Sequence, residues 1–176
     1  MEHKLVLRTF REDDLHFLDR LCTDPDAVGK FGWIGFIDPH LRRRRWEKDG
    51  YVSPELTALA VASADGTPAG VVSYRPTQRG GPTGGCFEIG IALLPEHRGR
   101  GLGAAAQRLL VDYLFDYTTA NRLEALTDEE NLAEQKALEH AGFWREGVLR
   151  GAYFHRGSWR NQVVYAVIRC DARPAN

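Results

Sequence analysis

Between Arg98 and Gly103 the chain sets two arginines and three glycines in six consecutive residues, Arg98-Gly99-Arg100-Gly101-Leu102-Gly103. Glycine has no Cβ, so its backbone amides can turn inward onto a ligand without a side chain in the way. The stretch before this loop, Phe87 to Leu93, is apolar and strand-like. The stretch after it, Leu102 to Tyr117, carries apolar residues at helical spacing. A helix that starts there points unpaired amides and the positive end of its dipole at the same spot. Such a loop suits a phosphate or pyrophosphate.

Other phosphate motifs compete for the same residues. Gly101-Leu102-Gly103-Ala104-Ala105-Ala106 matches the dinucleotide pattern G-x-G-x-x-A, and Glu124 follows at roughly the ~20-residue distance of its acidic partner. Against that, Pro95 to Arg100 separate the strand from the first glycine, and two hairpin-like strands precede the motif. The pattern G-x-x-x-x-G-K-[ST] does not occur. The bland alternative is a surface loop with two solvated arginines. His97 reads as a loop residue near the phosphates. Cys22, Cys86 and Cys170 are odd in number and widely spaced, so neither a disulfide framework nor a zinc site is expected. Cys86 reads as structural, and no metal is expected.

The elements that must position this loop follow from periodicity. Met1 to Lys4 lead without a signal-like apolar run into a first strand, Leu5 to Arg8. Leu15, Leu18, Leu21 and Cys22 give a helix over Asp13 to Cys22. Residues 25–37 read as a loop exposing Phe31, Trp33, Ile34 and Phe36. A helix is expected over Pro39 to Lys48, capped by Asp38 with Pro39 in its first turn. Arg42 to Arg45 point all round that helix, so they read as mostly solvated. Leu56 to Ala62 and Ala69 to Tyr74 form a hairpin about Asp65-Gly66. Gln78 to Gly85 is a glycine-rich loop.

After it come the strand Phe87 to Leu93, the basic loop and the long helix. The core stripe of that helix is read as Leu102, Ala106, Leu109, Leu110, Tyr113, Leu114 and Tyr117. Leu123 to Leu126 is a strand, and Asn131 to His140 a helix ended by Gly142. Val148 to Phe154 and Gln162 to Ile168 pair around Arg156-Gly157. The order predicts a mixed α/β fold in one domain, residues 1–176.

The chain has 176 residues, 43% of them hydrophobic and 27% charged, with a formal net charge of -1. That balance is ordinary for a soluble globular protein and gives no global reason to expect nucleic acid. No apolar run approaches the ~18 residues of a membrane span. The expectation is a cytoplasmic protein, monomer or homodimer, with no nucleic-acid or membrane partner.

Two blocks together resemble the GNAT N-acetyltransferases. Arg98-Gly99-Arg100-Gly101-Leu102-Gly103 is similar to their R-x-x-G-x-G/A acetyl-CoA loop. Asn131 to Phe143 resembles the N-x-x-S-x-x-x-x-E-K-x-G-F segment of the branch that includes the ribosomal-protein N-terminal acetyltransferases. Leu7-Arg8 followed by Glu12-Asp13-Asp14, and Glu146-Gly147 with Val164-Tyr165, also fit that branch. The resemblance implies a V-splayed mixed sheet flanked by helices, the acyl-CoA N-acyltransferase fold, with acetyl-CoA in the V as donor.

On that reading Arg98, Gly99, Arg100, Gly101, Leu102, Gly103 and Ala104 would cradle the pyrophosphate. Ile91 and Leu93 would offer backbone groups to the pantetheine arm and the thioester carbonyl. Asn131 would contact the pantetheine, cap its own helix, or both. The acceptor amine must lose a proton, and Glu88 is the candidate base. Strand alternation sets it with Cys86, Gly90 and Ala92, away from Phe87, Ile89, Ile91 and Leu93.

The departing thiolate takes a proton from Glu134, Tyr165, Tyr153 or water. The resembling branch often has serine where this chain has Glu134, and a glutamate holds a proton at neutral pH only if buried. Trp33, Phe36 and Tyr153 are candidates for the acceptor pocket, which would take a protein N-terminal α-amine or a small-molecule amine. A non-catalytic acyl-CoA-binding module is the alternative.

Overall fold

The computed structural model describes residues 5–81 and 84–172. The expected lead-in Met1 to Lys4 and two residues of the Gln78–Gly85 loop lie outside them. Among the described residues, seven strands form one mixed sheet in the order β1-β2-β3-β4-β5-β7-β6. They are β1 (Leu5–Arg8), β2 (Thr57–Ser63), β3 (Pro68–Pro76), β4 (Cys86–Leu93), β5 (Arg122–Asp128), β6 (Trp144–His155) and β7 (Ser158–Ile168). Only β4 and β5 run parallel; every other pairing is antiparallel. Their crossover is the helix α4 described below, as a parallel connection requires.

The helices are α1 (Leu15–Thr23), α2 (Pro25–Val28), α3 (Leu41–Asp49), α4 (Leu102–Tyr117), α5 (Leu132–His140) and α6 (Arg169–Ala172). Side chains alternate across a strand, and β2 shows what each face carries. Leu59 and Val61 join α4 and α5 in one core with Val72, Ile89, Leu110, Leu123 and Leu138. Ala58 and Ala60 join Phe10, Leu15, Phe17, Leu18 and Tyr51 in a second core under α1 and α3. Helices therefore cover both faces, as the α/β expectation has it. No helix among the described residues is long and apolar enough to cross a membrane.

Several boundaries move for local reasons. The first helix opens as a 3-10 turn, Glu12–Asp14, because Arg8 and the Arg11 amide hold the Asp14 carboxylate. The segment expected as plain loop contains α2, capped by Asp24, which accepts from the Asp26 amide. Asp38 does organise the start of α3, but one turn early. Its carboxylate accepts from the His40 amide and its carbonyl from Leu41, so Pro39 lies before the helix.

The stripe on α4 is rotated. Gln107, Val111 and Phe115 are buried beside Leu102, Ala106, Leu110 and Leu114, whereas Tyr113 and Tyr117 lie at the surface. Tyr113 stacks near Tyr74 and Tyr117 at a rim. Tyrosine tolerates that position because its ring packs while its hydroxyl stays wet.

Leu123 sits at the centre of this packing and is fully buried. Leu123→Ala should cost about 2–5 kcal/mol of unfolding free energy. The effect should appear as a lower urea midpoint at unchanged slope; a shift within error of zero would contradict this core.

Candidate active site

The parallel pairing of β4 with β5 covers three residue pairs, Cys86↔Arg122, Phe87↔Leu123 and Glu88↔Glu124, and then stops. Both strands continue, β4 held by β3 as far as Leu93 and β5 held by β7 as far as Asp128. A cleft therefore opens between Ile89–Leu93 and the end of β5. The facing backbone edges there have lost each other as partners and need others. Ile91 and Leu93 lie on that edge, half-buried.

The chain leaves β4 through a 3-10 turn, Pro95–His97, and enters α4 at Gly101. Gly99 has φ 71° and Gly101 φ 74°, values that side-chain-bearing residues rarely adopt. No side chain caps α4. The first bond of its ladder runs from the Ala105 amide to the Gly101 carbonyl at 3.2 Å. The amides of Leu102, Gly103 and Ala104 precede it and are available to an anion at the mouth of the cleft. A Cβ on Gly103 would lie 3.7 Å from Ala137 and 3.8 Å from Leu93, so α4 starts in close contact with both α5 and β4.

The two arginines of the loop part company. Arg100 is exposed and makes no hydrogen bond or ion pair among the described residues. Arg98, expected to add charge to a phosphate site, is committed elsewhere. Its Nε donates to the Leu93 carbonyl at 2.9 Å and its guanidinium to the Ala27 carbonyl, beside Gly29. Its own amide donates to Pro95. Arg98 is thus a strut between the glycine loop and the end of α2. A backbone carbonyl seventy-one residues away cannot be read from a motif.

Asn131 caps α5, its Oδ1 accepting from the Glu134 amide at 3.4 Å. Glu134 lies against α4, where Gln107 Nε2 donates to its Oε1 at 2.7 Å. Burial pushes the Glu134 carboxyl up to about 7, and the Gln107 bond opposes this only in part. Gln107 is buried, and its Oε1 has no partner among the described residues. A protonated Glu134 can donate to that oxygen while accepting from Nε2, closing a reciprocal acid–amide pair. An ionised one can only accept. Gln107 was absent from the sequence reading because it lies one position off the expected apolar stripe.

Tyr165 is fully buried, and its hydroxyl donates to Glu139 Oε1 at 2.9 Å. Burial, with the Glu139 bond, pushes its hydroxyl up to about 12. Tyr165 is thereby held in the core against α5. Tyr153 lies at the rim with its hydroxyl on Asp128, and burial raises it to about 12 as well.

The opposite face of the sheet carries Glu88 and Glu124, which are register partners, and Asp128 at the end of β5. Glu88 is half-buried and pairs with Arg75 at 2.7 Å. Glu124 is fully buried between Arg79 and Arg122, each at 2.6 Å. Asp128 takes Arg160 at 2.7 Å, which with burial against it and the Tyr153 bond in support holds it well below the usual carboxylate range. At the Asp128 end of this face the β6–β7 turn meets the aromatic segment: Tyr153 bonds Asp128 and packs beside His155, whose Nε2 meets the Lys30 carbonyl at 2.8 Å. Trp33 and Phe36 meet edge to face at 5.2 Å, Trp33 half-buried and Phe36 exposed.

Because Arg98 ties the glycine loop to Ala27, Arg98→Ala should free residues 25–37 while the sheet remains. A hydrogen bond to a charged group contributes about 1.5–3 kcal/mol, so amide exchange in that segment should speed up roughly tenfold or more. Unchanged exchange would show that the strut carries no load.

The profile described as an acetyltransferase (GNAT) domain matches residues 4–144. The probable N-acetyltransferase YjcK of Bacillus subtilis is 37% identical over 83 residues, 47% of this chain and 46% of that protein. The uncharacterized N-acetyltransferase p20 of Bacillus licheniformis is 39% identical over 170 residues, covering 94% of this chain and 93% of the relative. The spermidine N(1)-acetyltransferase of Escherichia coli K12 is 26% identical over 95% of this chain and 87% of its own length. Among solved structures, spermidine N-acetyltransferase from Vibrio cholerae in complex with CoA and spermine superposes with a TM-score of 0.82 over 96% of this chain and 97% of that one, at 19% identity. With its splayed strands, open helix amides and glycine turn, the chain belongs to the GNAT acetyltransferase family.

Proposed function

We propose that this protein transfers the acetyl group of acetyl-CoA to a primary amine, by direct attack of the amine on the thioester. One observation carries the reading: the cleft between β4 and β5 ends at a helix whose first amides are open, with a carboxyl group on each side of the sheet. Glu134 lies on the α4–α5 side and Glu88 on the face beneath the aromatic segment.

The pyrophosphate fits the turn Gly99–Gly101 and the amides of Leu102, Gly103 and Ala104, with Arg100 as the exposed cation. The edge of Ile91 and Leu93 takes the pantetheine arm, and a backbone N–H there polarises the carbonyl. The amine nitrogen bonds to the carbonyl carbon and the carbon–sulfur bond breaks. The amine's proton passes to Glu88, directly or through one water. The sulfur takes its proton from Glu134, which burial keeps protonated up to about pH 7. The acceptor is a small-molecule amine or a protein N-terminal α-amine; the whole-length similarity to a spermidine N(1)-acetyltransferase supports an amine acceptor. The rival reading, a non-catalytic acyl-CoA-binding module, rested on a glutamate at position 134, and a glutamate that holds its proton removes that ground.

Two experiments test this reading. Gly101→Val forces a β-branched residue to φ 74°, a conformation costing about 1–2 kcal/mol for a side-chain-bearing residue. Calorimetry should show acetyl-CoA affinity reduced by about tenfold or more with the circular dichroism unchanged. Wild-type affinity would remove the loop from the donor site.

The Glu134 proton is lost as pH rises through about 7, so kcat at saturating substrates should carry a limb that declines there. Glu134→Gln keeps the amide contact to Gln107 but has no proton to give. Its kcat at pH 6.5 should drop by about a hundredfold and lose that limb. An unaltered profile would assign the proton to another donor. The same shift acts on stability. The folded carboxyl is raised, so the native state binds more protons between the ordinary glutamate range and about 7, and stability falls with rising pH across that window.

A further inference from the structure

The sheet carboxylates on the acceptor side of the cleft are already neutralised. Glu88 has Arg75, Glu124 has Arg79 and Arg122, and Asp128 has Arg160. Each pair is within 2.7 Å, so an incoming ammonium would have to compete with a guanidinium already in place. The segment that roofs this face, residues 29–37, has no aspartate or glutamate. It brings one cation, Lys30, whose Nζ lies 4.5 Å from the centre of the Phe31 ring. The β6–β7 turn beside it adds the exposed Arg156.

What the roof offers instead is apolar. Trp33 and Phe36 form an edge-to-face pair, and Ile34 and Phe36 are 82% and 84% exposed. Apolar surface of this kind gains free energy when a ligand covers it. A polyamine brings several strongly hydrated ammonium groups, and those beyond the reacting one need free carboxylates or a negative potential. Here they would meet Lys30, Arg156 and occupied carboxylates, and like charges set against each other oppose binding. An aromatic face can take one ammonium, not a chain of them.

We propose that the acceptor of this chain is a primary amine carried on an apolar body, with no second cationic centre. This rests on the N-acetyltransferase reading and narrows it. Trp33, Ile34 and Phe36 recognise the body, and the reacting nitrogen reaches Glu88. An arylalkylamine and a peptide with an apolar N-terminal residue share that chemistry, and separate arms distinguish them.

The test measures thiol release from acetyl-CoA with 2-phenylethylamine, with a Leu-initiated tetrapeptide lacking lysine, and with spermidine and spermine. At least one apolar amine should show a kcat/KM roughly tenfold or more above spermidine. Phe36→Ala should raise the KM of that amine about tenfold while leaving acetyl-CoA affinity unchanged. Ile34→Glu, which sets a free carboxylate in the roof, should raise kcat/KM for spermidine. A preference of the wild-type protein for spermidine or spermine overturns the inference and leaves the acetyltransferase reading intact. Acetyl-CoA binding without turnover on any arm overturns both.

Discussion

Everything in the site depends on where two parallel strands let go of each other. β4 and β5 share three residue pairs and then diverge. Up to that point the sheet is continuous, and Glu88 and Glu124 stand side by side in it. Beyond it, the inner edges of both strands carry backbone groups that the sheet no longer satisfies. The glycine turn that leads into α4 follows the end of that edge. The outer neighbours β3 and β7 hold each strand rigid, so the opening persists without a ligand to prop it.

The splay also sorts the chemistry by face. On the α4–α5 face Gln107 is buried, and burial against it raises the Glu134 carboxyl to about 7, with no cation paired to it among the described residues. On the opposite face, beside the second apolar core, the carboxylates are held in arginine pairs. Two glutamates are thereby given different surroundings: Glu134 meets a neutral amide, and Glu88 meets the guanidinium of Arg75. Arg98 and His155 then fix the aromatic roof between the glycine loop and the β6–β7 turn. Both bonds go to backbone carbonyls, of Ala27 and Lys30, so the segment is tied by its main chain.

Much of this was legible in the residues. Periodicity located the long helix at its observed bounds, and glycine spacing marked the tight turn before it, because both are local properties of a few consecutive residues. The hairpin signals Asp65-Gly66 and Arg156-Gly157 fell at real turns for the same reason. Failures came where a distant partner decided the outcome. Asp14 was drawn out of the first helix by Arg8. Tyr165 looked like a polar residue near a motif and became a core residue once α5 was laid over it. Tyr113 and Tyr117 fitted an apolar stripe that packing against both sheet and α5 rotated by one position.

The sequence by itself determined the family, the glycine turn before α4 and the order of elements, since these depend on local spacing and on which backbone conformations glycine permits. The burial of Glu134 against Gln107, the commitment of Arg98 and the neutralisation of Glu88, Glu124 and Asp128 were decided by tertiary structure. Each is set by what lies within a few ångströms, and apart from the Arg122–Glu124 pair, two residues apart, the partners are 13 to 71 residues away in the chain. The energy of a charge depends on its neighbours and on its exclusion from water, and neither is written in the order of residues along the chain.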